Sequence, residues 1–271
     1  MPRARLLLHR SLFLLGFVAL AATGCSKDEP NPNAAPVSSS LAPAKPKTDA
    51  GKPYAVEGQG TKVSFTMDAP IEKIFGEADG SLEGELFVDP EDVTRSTGLV
   101  KIDLDKLVIY QQKRADEKAE FGERTKSDLQ NEHARNWLGI GKDVPEADRT
   151  KHRYIEFKIS KIETAGAKSV AGLSGAERTM KLDVTGDFRL HERTVPKKAE
   201  LEVTFVMEGD KVAKVRVKST KPVSVNLEEH DVRPRDTLGA ILQKTADELA
   251  TLGKKVSKDA MVSFELQAKP K

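Results

Sequence analysis

The ten residues KLDVTGDFRL at 181–190 put Leu182, Val184, Gly186, Phe188 and Leu190 on one side of an extended chain and Lys181, Asp183, Thr185, Asp187 and Arg189 on the other. A period of two, apolar against charged, is the pattern of a half-buried strand. In LEVTFVMEGDKVAKVRVKS at 201–219, Leu201, Val203, Phe205 and Met207 lead through Gly209-Asp210 into Ala213, Val215 and Val217. That stretch predicts a two-stranded hairpin whose outer face carries Lys214, Arg216 and Lys218. Outward from it the alternation returns at Val63, Phe65 and Met67, and at Leu82, Gly84, Leu86 and Val88 after the turn signal Asp79-Gly80. It recurs at Val100, Ile102 and Leu104, at Ile155, Phe157 and Ile159, at Val223, Val225 and Leu227, and at Val262, Phe264 and Leu266. About eight or nine strands with one apolar and one charged face predict an all-β fold, an antiparallel sheet closed on itself or folded into a sandwich.

The N-terminus is of another kind. Arg3, Arg5 and Arg10 precede an apolar run from Leu12 to Ala22 that is short for a membrane span, and Ala22-Thr23-Gly24 leads to Cys25, the single cysteine. This resembles the lipobox of bacterial lipoproteins. The resemblance implies a signal peptide over 1–25, a lipidated Cys25 and a membrane contact through that lipid. Ser26 after the cysteine, by similarity to proteobacterial sorting patterns, implies an outer-membrane lipoprotein facing the periplasm or the cell surface. Ordinary secretion and an uncleaved anchor are the alternatives. Residues 26–53 hold prolines at 30, 32, 36, 43, 46 and 53 and almost no large apolar side chains, the composition of a disordered tether. The remaining 54–271 suffices for one β domain.

Two stretches break the strand pattern. Leu238, Ile241, Leu242, Leu249 and Leu252 fall at helical spacing between Asp236 and Gly253, which predicts a helix that packs on the sheet or caps the barrel. The segment from Arg114 to Trp137 is charged, weakly amphipathic and divided by Gly122. One or two accessory helices are thus expected.

Charge restricts the partners. Without the three signal arginines, 41 of the 44 basic residues remain against 42 acidic ones. This is no nucleic-acid binder by charge. His133, His152, His191 and His230 do not fall in a metal-ligand spacing, and Glu228-Glu229-His230-Asp231 reads as a solvated charge run. His191 and Glu192, as strand neighbours, would point to opposite faces. With no phosphate loop, nucleophile elbow or paired catalytic carboxylates, the reading is a binding protein and not an enzyme, with no cofactor.

Taken in order, Lys62-Val63-Ser64-Phe65, Phe75-Gly76, Gly84-Glu85-Leu86, Asp89-Pro90-Glu91-Asp92 and Val100-Lys101-Ile102-Asp103-Leu104 resemble the opening of the YceI-like family. Arg153-Tyr154-Ile155-Glu156-Phe157, then Gly186-Asp187-Phe188-Arg189-Leu190-His191, then Lys258 to Leu266 continue the resemblance. It implies a lipocalin-like antiparallel β-barrel whose lumen holds an amphiphilic isoprenoid or quinone-like lipid. The candidate lining, taken from the apolar strand faces, is Phe65, Met67, Leu86, Ile102, Leu104 and Phe157, with Leu182, Phe188, Leu201, Val203 and Phe205 from the later strands. The other reading is a packed barrel that serves as a structural or interaction lipoprotein. A homodimer stays open.

Overall fold

The computed structural model describes residues 31–233 and 257–271. Cys25, the signal segment and the helix expected between Asp236 and Gly253 lie outside the described residues.

Eight antiparallel strands close into a barrel, several of them bent. Strand β1 is Lys52–Val56 continued as Lys62–Asp68, and β2 is Glu72–Glu77 continued as Leu82–Val88. Each pair of segments is one strand, because its neighbour stays the same across the bend: Tyr54 faces Leu86 and Phe65 faces Gly76. Asp79-Gly80 therefore marks no hairpin. It bends β2, with Gly80 at φ 68°, while the amides of Ala78 and Gly80 bond the carbonyls of Val63 and Thr61. Strand β3 is Thr97–Asp103 continued as Val108–Lys113, with one turn of 3-10 helix at Leu104–Lys106 between them.

The later strands are β4 (Tyr154–Glu163), β5 (Glu177–Leu190), β6 (Arg193–Glu208), β7 (Lys211–Ser219 and Val223–Asn226) and β8 (Asp259–Pro270). Gly209, at φ 61°, turns β6 into β7 in the hairpin predicted from Gly209-Asp210. The cylinder closes where β8 meets β1, with Pro270 opposite Tyr54 and Val262 opposite Phe65.

Strand β4 covers only the first half of β3, through Leu99–Asp103. Along the second half run the two residues Thr125–Lys126 and the helix α1 (Asp128–Trp137), capped by Ser127. The side chain of Asn131 stands in for the missing strand. Its Oδ1 accepts from the Ile109 amide at 2.7 Å, and its Nδ2 donates to the Ile109 carbonyl at 2.9 Å. A second helix, α2 (Glu146–His152), was not apparent in the sequence, whereas Arg114 to Arg124, expected to be partly helical, is a loop whose Gly122 amide bonds the Lys113 carbonyl. The opposite end of the barrel is shut by Val93 and Val170, each 1% exposed.

Residues 31–51, expected to belong to a tether, lie as a strap along the outer wall. The Ser38 amide donates to the Glu192 carbonyl at 2.7 Å, and Val37 bridges to Arg193. The Leu41 amide donates to Glu156 Oε2 at 2.7 Å, and Arg189 donates to the Ser38 carbonyl at 3.3 Å. Further along, Thr97 donates to the Lys45 carbonyl at 2.7 Å and Thr48 to the Asp89 carboxylate at 2.7 Å. Beneath the strap Glu156 and Arg189 are 1% and 2% exposed, and Lys101 Nζ sits 3.2 Å from Glu156. Hydrogen bonds to charged groups contribute about 1.5–3 kcal/mol each. They hold down a segment that has little apolar surface to bury.

Candidate functional site

The inward faces of the eight strands leave two cavities in series, one of about 150 Å³ toward the shut end and one of about 110 Å³ beneath α1. Ile102, Ile155, Phe188, Val225 and Val262 line both and form a waist between them. All eleven candidate residues line this lumen. Leu86, Phe157, Leu182, Leu201, Val203 and Phe205 surround the first cavity, Phe65, Met67 and Leu104 the second, and Ile102 and Phe188 belong to the waist. Alternation had put Ile155, Val225 and Val262 on inward faces without singling them out. Trp137 and Leu138, which close the second cavity from α1, carried no strand pattern that could have found them.

Three of the lining side chains lie over glycines. Phe65 sits across from Gly76, and a Cβ there would come within 2.6 Å of the ring Cζ. Leu86 faces Gly98, where a Cβ would meet Leu86 Cδ2 at 2.5 Å, and a Cβ at Gly186 would meet Phe157 Cζ at 2.5 Å. Glycine lets each large side chain lie flat against the wall instead of standing across the lumen. The width of the hollow thus depends on both members of each pair.

Polar groups gather at the α1 end. Residues His191 and Glu192 are the two-residue turn between β5 and β6, both in the left-handed region at φ 48° and 58°, not strand neighbours as the sequence suggested. Such a turn favours Asn-Gly, and side chains here cost roughly 1–2 kcal/mol per residue. Surrounding groups hold it in place. His191 Nδ1 donates to the His230 carbonyl at 3.2 Å, His230 Nδ1 donates to the Arg193 carbonyl at 3.1 Å, and Glu192 Oε2 lies 3.2 Å from His152 Nε2. The rings of His152 and His191 are 4.2 Å apart. Burial, then the neighbouring His152, pushes His191 down to about 4, and burial likewise lowers His230.

His230 is fully buried, which corrects the reading of 228–231 as a solvated run, and its ring meets the waist residue Phe188 edge-on at 5.4 Å. The one-turn 3-10 helix Glu228–His230 turns the imidazole inward under β6. Outside the lumen, hydrogen bonds from Arg153 hold the Asp103 carboxyl below the usual carboxylate range, at 2.7 and 3.0 Å. Asp89 is also lowered: burial opposes its charge but is outweighed by Thr48, the amides of Asp92 and Glu91, and Arg95. Both pairs brace the wall. Neither faces the cavities.

Comparison with known proteins gives a consistent picture. The profile of the YceI-like domain matches residues 54–268. Among solved structures, a polyisoprenoid binding domain from Saccharophagus degradans implicated in plant cell wall breakdown superposes with a TM-score of 0.50 at 14% identity. The match covers 80% of this chain and 98% of that one, and it is a likeness of fold. No curated protein matches the sequence.

Proposed function

We propose, from the premise that the chain belongs to the YceI-like family, that it is a lipid-anchored envelope protein whose barrel binds or carries an amphiphilic isoprenoid lipid. The observation that carries the reading is the lumen itself: two apolar cavities in line, meeting at a waist of five apolar side chains. A slender hydrocarbon needs no charged partner inside. Burying it contributes ~0.8 kcal/mol per methylene, so a chain of about three isoprene units gains ~10 kcal/mol before ordering costs. A cavity of ~150 Å³ holds a body the size of benzene. Each cavity therefore takes about one isoprene unit as it stands, and a longer chain lies through the waist with its side chains parted.

Anchorage through Cys25 and an outer-membrane location, facing the periplasm or surface, complete the proposal and rest on the N-terminal sequence. The related domain of known structure is described as polyisoprenoid binding, which supports the ligand class. The waist also favours a second reading, a packed barrel acting as an interaction domain. One experiment separates the two: mass spectrometry of organic extracts from the purified protein, with titration of farnesol and geranylgeraniol followed through Trp137. A bound prenyl lipid, or saturable quenching, supports the carrier. Repeated absence of both overturns it in favour of the packed barrel.

A further inference from the structure

The strap gives the barrel a direction. Its first described residues are fastened at the α1 end, where Asn31 Nδ2 donates to the Glu228 carbonyl at 3.0 Å and the Ala35 amide to the Glu229 carbonyl at 2.8 Å. Its last are fastened at the shut end, where Thr48 bonds Asp89. Cys25 precedes Asn31 by six residues, a length of chain that spans at most ~20 Å. Were residues 31–51 free, the chain from Cys25 to Lys52 could reach ~90 Å.

We infer that the α1 end of the barrel is an interaction surface for a lipid bilayer, and that the docked strap turns this end toward the membrane that holds Cys25. The inference rests on the reading of Cys25 as lipidated. A second feature agrees with it. The exposed large apolar side chains among the described residues are Leu129 at 62%, Val37 at 66% and Met261 at 38%. All three belong to this half: Leu129 is on α1, Val37 bridges to the first residue of β6, and Met261 pairs with Thr66 near the end of β1. The second cavity lies at this same end, behind Trp137 and Leu138. A lipid leaving the bilayer would meet the lumen without crossing a long aqueous gap.

The test uses the full chain, lipidated in its expression host and reconstituted into phosphatidylethanolamine and phosphatidylglycerol vesicles doped with dansyl-phosphatidylethanolamine. Trp137, the single tryptophan, is the donor. Efficient energy transfer from Trp137 to the dansyl headgroups is expected. An insertion of about twelve Gly/Ser residues between Pro30 and Asn31, which adds ~20 Å of reach, lowers transfer several-fold without touching the barrel. Leu41→Pro, which deletes the amide that bonds Glu156, lowers it as well. Transfer that is weak in the parent chain, or unchanged by the insertion, while the Cys25 peptide carries its lipid by mass spectrometry, overturns the orientation and leaves the anchor standing. A Cys25 peptide without lipid overturns both.

Discussion

Replacing Gly76 by alanine tests how the lumen obtains its width. The backbone at Gly76 is ordinary strand, so alanine is conformationally allowed, and the new methyl has one obstacle, the ring of Phe65. It would lie 2.5 Å from Cδ1 and 2.6 Å from Cζ. Carbon atoms settle at about 3.5–4.0 Å, so the ring must withdraw by ~1 Å or more. Both residues line the cavity of about 110 Å³, so the withdrawing ring takes up room there. Overpacking of this kind costs about 1–3 kcal/mol, and the lower entropy of unfolded alanine returns about 0.4–1 kcal/mol. A net loss of ~1–2 kcal/mol is expected in urea unfolding at unchanged slope. For a ligand, losing room for one or two methylenes at ~0.8 kcal/mol each weakens binding about tenfold. Farnesol titration of Gly76→Ala, and of Gly76→Ala with Phe65→Leu, measures both effects, the second change restoring binding. Full stability and full affinity in the single variant would refute the idea that Phe65 lies on Gly76 and that their pairing sets the bore.

Three other outcomes are expected. Because His191 and His230 are held below their unfolded value of about 6.5, the unfolded chain binds more protons beneath that pH, and stability should fall as pH drops from about 6.5 through about 4. The His191 contribution is about 3 kcal/mol, and His191→Gln should flatten that limb in thermal melts across the range. Glu156→Leu leaves Arg189 buried without a counter-charge and should cost ~3–5 kcal/mol, while trypsin cuts after Lys47 sooner than in the parent as the strap loosens. Phe188→Leu, which thins the waist and removes the edge contact with His230, should cost ~1 kcal/mol and shift the preferred prenyl length upward in competition assays; an unchanged preference would mean that the waist does not limit the chain.

The sequence was most legible where a strand has one face in the lumen and one in water. Leu182, Val184 and Phe188 could be assigned to the inside from spacing alone, because the alternation runs unbroken along β5 and the irregularity in its pairing falls on β4, between Ile159 and Lys161. The bends were harder. Asp79-Gly80 has the composition of a hairpin turn, yet β2 continues past it, because its amides keep the partners they had before. Asn131 completing a sheet edge from a helix has no local signature at all, since the geometry depends on a β4 that stops half-way. Residues 31–51 misled for a different reason. Composition registers apolar burial, and this segment is held by Glu156, Arg189, Thr97 and Asp89, four polar side chains from distant parts of the chain. His230 was misjudged because a run of charged neighbours hides which member turns inward.

The helix that replaces half of β4 makes one sector of the wall mechanically unlike the rest. Elsewhere, parting neighbours means tearing a ladder of backbone hydrogen bonds along a whole edge. At α1 the seam is a few side-chain fastenings: Asn131 on Ile109, Gln130 on Gln111 and Glu72, and Arg135 on the Asp105 carbonyl. A seam of that kind opens locally and recloses with the cylinder intact, so amide hydrogen exchange should be fast in α1 and slow in the flanking strands. The barrel has, in effect, a side door hung on an asparagine.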